Sequence, residues 1–157
     1  MSKHYDVKSF TTGASIGYLV KLAHTLLLER ATQAFAGREI SFMQWIVLMK
    51  LREGSALNAS ELCRLLRHDT GAFTRLLDSL EERGLIERER SADDRRVVRL
   101  TITSGGRKLA LDLLPLVVDR LNEALGGFTK AEFTELCRLL NKLIGNLTVA
   151  KASEARS

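Results

Sequence analysis

Apolar residues recur along this chain in two rhythms, a helical one at three- and four-residue spacing over most of its length and a two-residue alternation in one central stretch. Ile16, Leu19, Val20, Ala23, Leu26 and Leu27 mark a first amphipathic helix that Gly37 closes. Ser41 precedes a second, with Phe42, Trp45, Ile46 and Met49 as its inward stripe and Gly54 at its end. Asn58-Ala59-Ser60-Glu61 has the form of a capping box and opens a short third helix carrying Leu62, Leu65 and Leu66. Asp69 is a good N-cap for a fourth, in which Phe73, Leu76, Leu77 and Leu80 fall at i, i+3, i+4 and i+7, and Gly84 stops it.

The rhythm then changes. Leu85–Arg90 and Val97–Ile102 read as extended runs, and Val98, Leu100 and Ile102 alternate onto one face, so the two runs are expected to pair as a hairpin. The polar segment Ser91-Ala92-Asp93-Asp94-Arg95-Arg96 between them is its turn. Beyond it, Leu109–Leu125 is expected to form one helix, apolar on more than one face and kinked near Leu111 by Pro115, the only proline. Thr129-Lys130-Ala131-Glu132 is a further capping box, opening a last helix with Phe133, Leu136, Cys137, Leu140, Leu143, Ile144 and Leu147 on its inward stripe. Lys151–Ser157 reads as a frayed tail. The leucine content at both ends exceeds what one small core absorbs, which predicts a homodimer built from the N- and C-terminal helices.

Two short helices followed by an arginine-tipped hairpin form an arrangement suited to gripping duplex DNA. With the apolar stripe of the fourth helix fixed, Thr70, Gly71, Thr74, Arg75 and Asp78 lie on its solvent side, and the early ones are small or hydrogen-bonding, as a helix entering a major groove N-terminus first requires. Arg95 and Arg96, at the tip of a narrow loop, have the shape and charge to enter a minor groove, where the potential is most negative.

At these residues the chain resembles the MarR family of bacterial transcription regulators, and the resemblance runs over nearly its whole length. It is carried by Asp94-Arg95-Arg96 followed by Leu100-Thr101-Ile102-Thr103, and by Thr74-Arg75-Leu76-Leu77-Asp78 with Leu80, Glu81 and Gly84-Leu85-Ile86. Phe73 is bulkier than the residue usual there, and its place on the apolar stripe makes it a packing residue. The resemblance implies a mainly α fold with a small β-hairpin wing, a winged helix-turn-helix dimer. It also implies that Arg96 reaches the minor groove while Asp94 orients the basic side chains beside it.

On that basis the chain is a single unit, 1–157, with a DNA-binding lobe at 41–103, a helical dimerisation region at 10–38 and 104–149, and a tail at 150–157. Its expected partner is double-stranded DNA with a pseudo-palindromic operator. The resemblance further implies a repressor released by a small, often aromatic or phenolic acid bound between the first, second and fifth helices, for which Tyr18, His24, Trp45 and Arg52 are the candidate contacts. A ligand-independent DNA-binding module, or a winged helix that binds only protein, is the alternative.

Composition adds limits. A chain of 157 residues, 45% hydrophobic and 27% charged, is ordinary for a soluble globular protein able to bury one core. A net charge of +5 permits a polyanionic partner, but Ser60–Lys108 holds 11 basic against 9 acidic residues, so the placement of the arginines carries the argument rather than their sum. With no long apolar run and a polar N-terminus, a cytoplasmic protein without membrane contact is expected. Enzymatic activity is not expected: His4, His24 and His68 are scattered, and neither a nucleophile elbow nor a phosphate-binding glycine loop is present. No cofactor or metal is implied, since only His24 falls where zinc-sensing relatives gather ligands. Cys63 and Cys137 read as small buried hydrophobes, and the first helix lacks the cysteine used by peroxide-sensing relatives.

Overall fold

The computed structural model describes residues 3–54, 58–90 and 98–154, without the side chains at 90 and 149–154. Among the described residues, seven α-helices and one hairpin follow in the order α1 (Ile16–Ala34), α2 (Phe42–Arg52), α3 (Ala59–Leu65), α4 (Thr70–Glu82), β1 (Ile86–Arg90), β2 (Val98–Ile102), α5 (Ser104–Asp112), α6 (Leu114–Ala124) and α7 (Lys130–Glu154). Contacts divide the chain into two compact units, Met1–Arg120 and Leu121–Ser157.

In the first unit the helix starts are fixed by side-chain caps. Ser41 and Gln44 exchange hydrogen bonds with each other's backbone N–H at the head of α2 (3.2 and 2.8 Å), a complete capping box. Asn58 Oδ1 accepts from the Glu61 N–H at 2.8 Å and Asp69 Oδ1 from the Ala72 N–H at 2.9 Å, starting α3 and α4 at the positions expected. Gly37, Gly54 and Gly84 all take positive φ where their helices end.

The core gathers around α2, which touches α4, β2 and α5. Because it is packed from several directions, its buried residues are Trp45, Val47, Leu48 and Leu51, while Phe42, Ile46 and Met49 are only partly buried. The single inward stripe expected from the sequence is therefore too narrow, and Val47 and Leu48 are among the most deeply buried side chains. Complete burial of Leu48, Leu62, Leu80 and Ile86 contributes about 1.5–3 kcal/mol each. Trp45 is 8% exposed, stacks on Phe42 and donates its indole N–H to the Ala110 carbonyl at 3.0 Å, which locks α2 to α5.

Two further expectations are corrected. Leu65 lies on the outer side of the seven-residue α3 and is exposed, because so short a helix presents only Leu62 fully to the core. The segment expected as one kinked helix is two, α5 and α6, with the break at Leu113 rather than a bend at Leu111. Pro115 has no N–H to donate and sits in the first turn of α6, where none is needed, so restarting the helix costs less than threading proline through it. His24 is exposed on α1.

Most of α1 is solvent-exposed, including Ile16, Leu19, Val20, Leu26 and Leu27. The second unit is built on α7, whose capping box is complete: Thr129 N–H donates to Glu132 Oε2 at 2.8 Å, and Glu132 N–H donates to Thr129 Oγ1 at 3.2 Å. Phe133, Leu140, Ile144 and Leu147 are exposed along α7, so the stripe assigned inward from the sequence has no cover within its own unit. The helix runs to Glu154, and the first four residues of the expected Lys151–Ser157 tail are helical, since Lys151-Ala152-Ser153-Glu154 contains no breaker. Among the described residues no helix is long and apolar enough to cross a membrane.

Candidate nucleic-acid interface

The exposed face of α4 follows from its buried one. Phe73, Leu77 and Leu80 are buried, so at 100° per residue Thr70, Gly71, Thr74 and Arg75 face outward, and all four are exposed. Thr74 donates its hydroxyl proton to the Thr70 carbonyl at 2.9 Å, leaving the oxygen lone pairs outward as acceptors. A Cβ at Gly71 would meet nothing closer than Asp69 Oδ1 at 3.5 Å, an ordinary contact. No neighbour within the chain therefore demands a glycine there, and its absent side chain leaves the backbone open to a close external partner. Asp78, expected on the solvent face with them, is half-buried and paired with Arg88.

The turn between α3 and α4 is stiff. Arg67 takes φ +50, the left-handed region where a side chain is uncommon. The turn is held by His68 N–H donating to the Cys63 carbonyl at 3.1 Å and by the Cys63 thiol donating to the His68 carbonyl at 3.2 Å. Cys63 is thus half-buried and hydrogen-bonded, somewhat less enclosed than the sequence suggests, and Cys137 is likewise half-buried. Between α3 and α4 lies an open cavity of about 480 Å³, whose lining includes Ser60, Arg64, Arg67, His68, Thr70 and Thr74 and no carboxylate. Its floor is apolar, with Ala59, Phe73 and Leu77, and its polar groups are cations and hydroxyls, which attract phosphate.

The hairpin is antiparallel, with Ile86 opposite Ile102 and Arg90 opposite Val98. Leu100 and Ile102 are buried and Val98 partly so, as the alternation predicts. A bridge between Asn58 and Arg99 ties β2 to the head of α3, and no sequence pattern announced it. At the base, Thr103 Oγ1 donates to the Gly84 carbonyl at 2.7 Å and accepts from the Gly106 N–H at 3.0 Å, so one hydroxyl closes the hairpin and caps α5. Asp94, Arg95 and Arg96 lie outside the described residues.

Of the four effector candidates, Trp45 is in the core with its only donor used by Ala110, while Tyr18, His24 and Arg52 are exposed. Tyr18 and His24 are six residues apart on α1, about 120° around the helix, so they do not share one face. Among the described residues no group of three or more His, Cys, Asp or Glu side chains could hold a metal ion.

Two helices joined by a tight turn, the second exposing a polar N-terminal face and followed by a hairpin, define a winged helix-turn-helix protein. A family model described as the MarR family matches residues 39–97. The chain is 32% identical over 123 residues to the transcriptional repressor MprA of Escherichia coli strain K12, covering 77% of this chain and 70% of that one. A mutant E. coli MarR solved in complex with operator DNA superposes with a TM-score of 0.73 at 28% identity, over 88% of this chain and 99% of the other. Bordetella bronchiseptica BpsR, solved in a study of its regulation by 6-hydroxynicotinic acid, shares the fold with a TM-score of 0.75 at 23% identity, over 85% and 96% of the two chains. The chain belongs to the MarR family of DNA-binding transcriptional regulators.

Arg88 is a residue the sequence reading passed over. Its signal was available: it lies two residues from Ile86 on β1, in phase with a buried position, where a strand alternating toward solvent would not carry it.

Proposed function

We propose that this protein is a cytoplasmic repressor that binds a pseudo-palindromic operator as a homodimer and is released by a small aromatic acid. The observation that carries the reading is the exposed Thr70, Gly71, Thr74 and Arg75 face of α4, set beside a carboxylate-free groove. Thr70 and Gly71 sit at the N-terminal turn that reaches base edges first, Thr74 offers hydroxyl acceptors, and Arg75 supplies charge for phosphate or guanine. Arg95 and Arg96 enter the adjacent minor groove, with Asp94 orienting them.

Dimerisation is supported by the apolar surface left open on the terminal helices, with Ile144 at 58% and Leu147 at 62% exposure. A two-fold pair presents two copies of α4 to successive major grooves about 34–36 Å apart. In this arrangement 41–103 is the DNA-binding lobe, and 10–38 with 104–149 forms the dimer region. Repression accords with the named role of MprA, and an aromatic acid effector with the regulation of BpsR by 6-hydroxynicotinic acid. Tyr18, His24, Trp45 and Arg52 are the side chains to test first as contacts for the effector's ring and carboxylate.

Arg75→Ala tests the assignment of α4. On a duplex selected by the wild-type protein from a random pool, the variant binds more weakly by about 1–3 kcal/mol, and if Arg75 holds a phosphate the salt slope falls by about one unit. Unchanged affinity and slope at matched salt would place α4 away from DNA.

A further inference from the structure

One side chain ties the hairpin to the recognition helix. Arg88 Nη2 lies 2.8 Å from Asp78 Oδ1 and donates at 3.5 Å to the carbonyl of Thr74, and Arg88 Nε lies 3.3 Å from Glu81 Oε2. The angle at Nε is too poor for a hydrogen bond, so that contact is one of charge alone. The three acceptors sit at i, i+4 and i+7 of α4, continuing toward its C-terminus the stripe that carries Thr70 and Thr74. The Arg88 side chain is 21% exposed and lies between two carboxylates, so its charge is already engaged and little of it faces outward.

The two carboxylates otherwise have no place on such a helix. Acidic groups beside a phosphate-lined groove repel it, and their removal should tighten binding to any duplex. Their presence is explained if they hold something that recognition needs. We propose that Arg88 is a positioning residue for DNA recognition, anchored by Asp78 and Glu81, which fixes the angle between β1 and α4 so that hairpin and helix meet the two grooves in register. The planar guanidinium suits this task because it engages acceptors in several directions at once, which an ammonium cannot do with fixed geometry. The proposal rests on the DNA-binding reading and goes beyond it: Arg88 acts without touching DNA, and two negative charges favour binding to a polyanion.

The sign of a charge-removal effect tests it. The full-length wild-type protein, the double variant Asp78→Asn/Glu81→Gln, and the single variants Arg88→Lys and Arg88→Met are titrated on a duplex selected by the wild-type protein from a random pool, and on a scrambled duplex of equal composition. The double variant is expected to bind the selected duplex about tenfold more weakly while binding the scrambled duplex equally or more tightly. Arg88→Lys keeps the charge but not the fork and weakens selected binding, with its salt slope unchanged. Tighter binding of the double variant to both duplexes would overturn the proposal, as would a loss of about one unit of salt slope in Arg88→Met on both, which would make Arg88 a phosphate contact. A wild-type protein that selects no duplex would overturn the DNA-binding reading and this proposal with it, whereas wild-type selection with a tight-binding double variant overturns the proposal alone.

Discussion

Gly106 sets the junction between the hairpin and α5, and replacing it with alanine measures how tightly that junction is built. A Cβ there would lie 2.1 Å from the Leu85 carbonyl oxygen, 3.0 Å from the Leu85 carbonyl carbon and 3.1 Å from Ile102 Cγ1. An ordinary carbon–oxygen approach is roughly 3.3 Å or more, so either the carbonyl or the helix must retreat by about 1 Å. The obstacle is backbone, and that carbonyl accepts the Thr103 N–H at 3.2 Å, so the retreat strains the bond that seats β2 against the end of α4. Overpacking costs about 1–3 kcal/mol and a weakened hydrogen bond about 1, against about 1 kcal/mol regained from alanine's helix propensity. The net expectation for Gly106→Ala is a loss of about 2 kcal/mol, or roughly 4–8 °C in Tm for a chain of this size. Gly105→Ala is the internal control. Its Cβ would meet only Thr103 Oγ1 at 3.7 Å and the Gly84 carbonyl at 4.0 Å, so it should be neutral or stabilising by about 0.5–1 kcal/mol. Urea and thermal unfolding of both variants at one protein concentration reads the difference. Equal stability of the two variants would refute the account of this junction.

Three other perturbations have defined outcomes. Asp69→Ala removes the acceptor for the Ala72 N–H and should cost about 1 kcal/mol; hydrogen exchange should show the first turn of α4 opening, Asp69→Asn should restore it, and unchanged protection in the alanine variant would contradict the cap. Hydrogen bonds from the Thr129 backbone and hydroxyl hold the Glu132 carboxyl below the usual glutamate range, so its contribution is present above that range and lost as pH falls through the lowered value. Thr129→Ala keeps the backbone bond but removes the hydroxyl, and should raise the Glu132 titration midpoint followed by NMR; an unmoved midpoint would remove the hydroxyl as a cause. Leu140→Glu puts a charge on the apolar side of α7 and should abolish self-association and operator binding together; sedimentation showing an intact dimer with full affinity would remove Leu140 from the seam.

The helix-turn-helix was legible because its signals are local. Asn58 and Asp69 cap within three residues of themselves, and the Phe73, Leu77, Leu80 stripe needs only the period of one helix to assign its dry side and hence its wet one. The inward face of β2 followed from the alternation of Val98, Leu100 and Ile102. What escaped depends on partners distant in sequence. Val47 and Leu48 are buried because α2 is packed from several sides, which periodicity along α2 cannot reveal. Leu65 obeys the helical spacing but lies beyond the reach of the core. The Asn58–Arg99 bridge joins residues 41 apart, and Arg88 looked like one more charge in a polar strand until its phase with Ile86 was set beside Asp78 and Glu81 on α4. The effector candidates fared differently, because a pocket is a property of surfaces brought together. The local pattern placed Trp45 on the inward stripe of α2, where its indole N–H is held by Ala110, but no pattern along α1 could say what the exposed Tyr18 and His24 border.

The central claim is that two copies of this chain read one operator with two α4 helices. It is tested most directly by sedimentation equilibrium of the wild-type protein with a labelled duplex selected from a random pool, over a series of salt concentrations. The account predicts two chains per duplex, a scrambled duplex bound at least about a thousandfold more weakly at physiological salt, and affinity that falls steeply as salt rises. A single chain bound tightly per duplex, or equal affinity for selected and scrambled DNA, would contradict it.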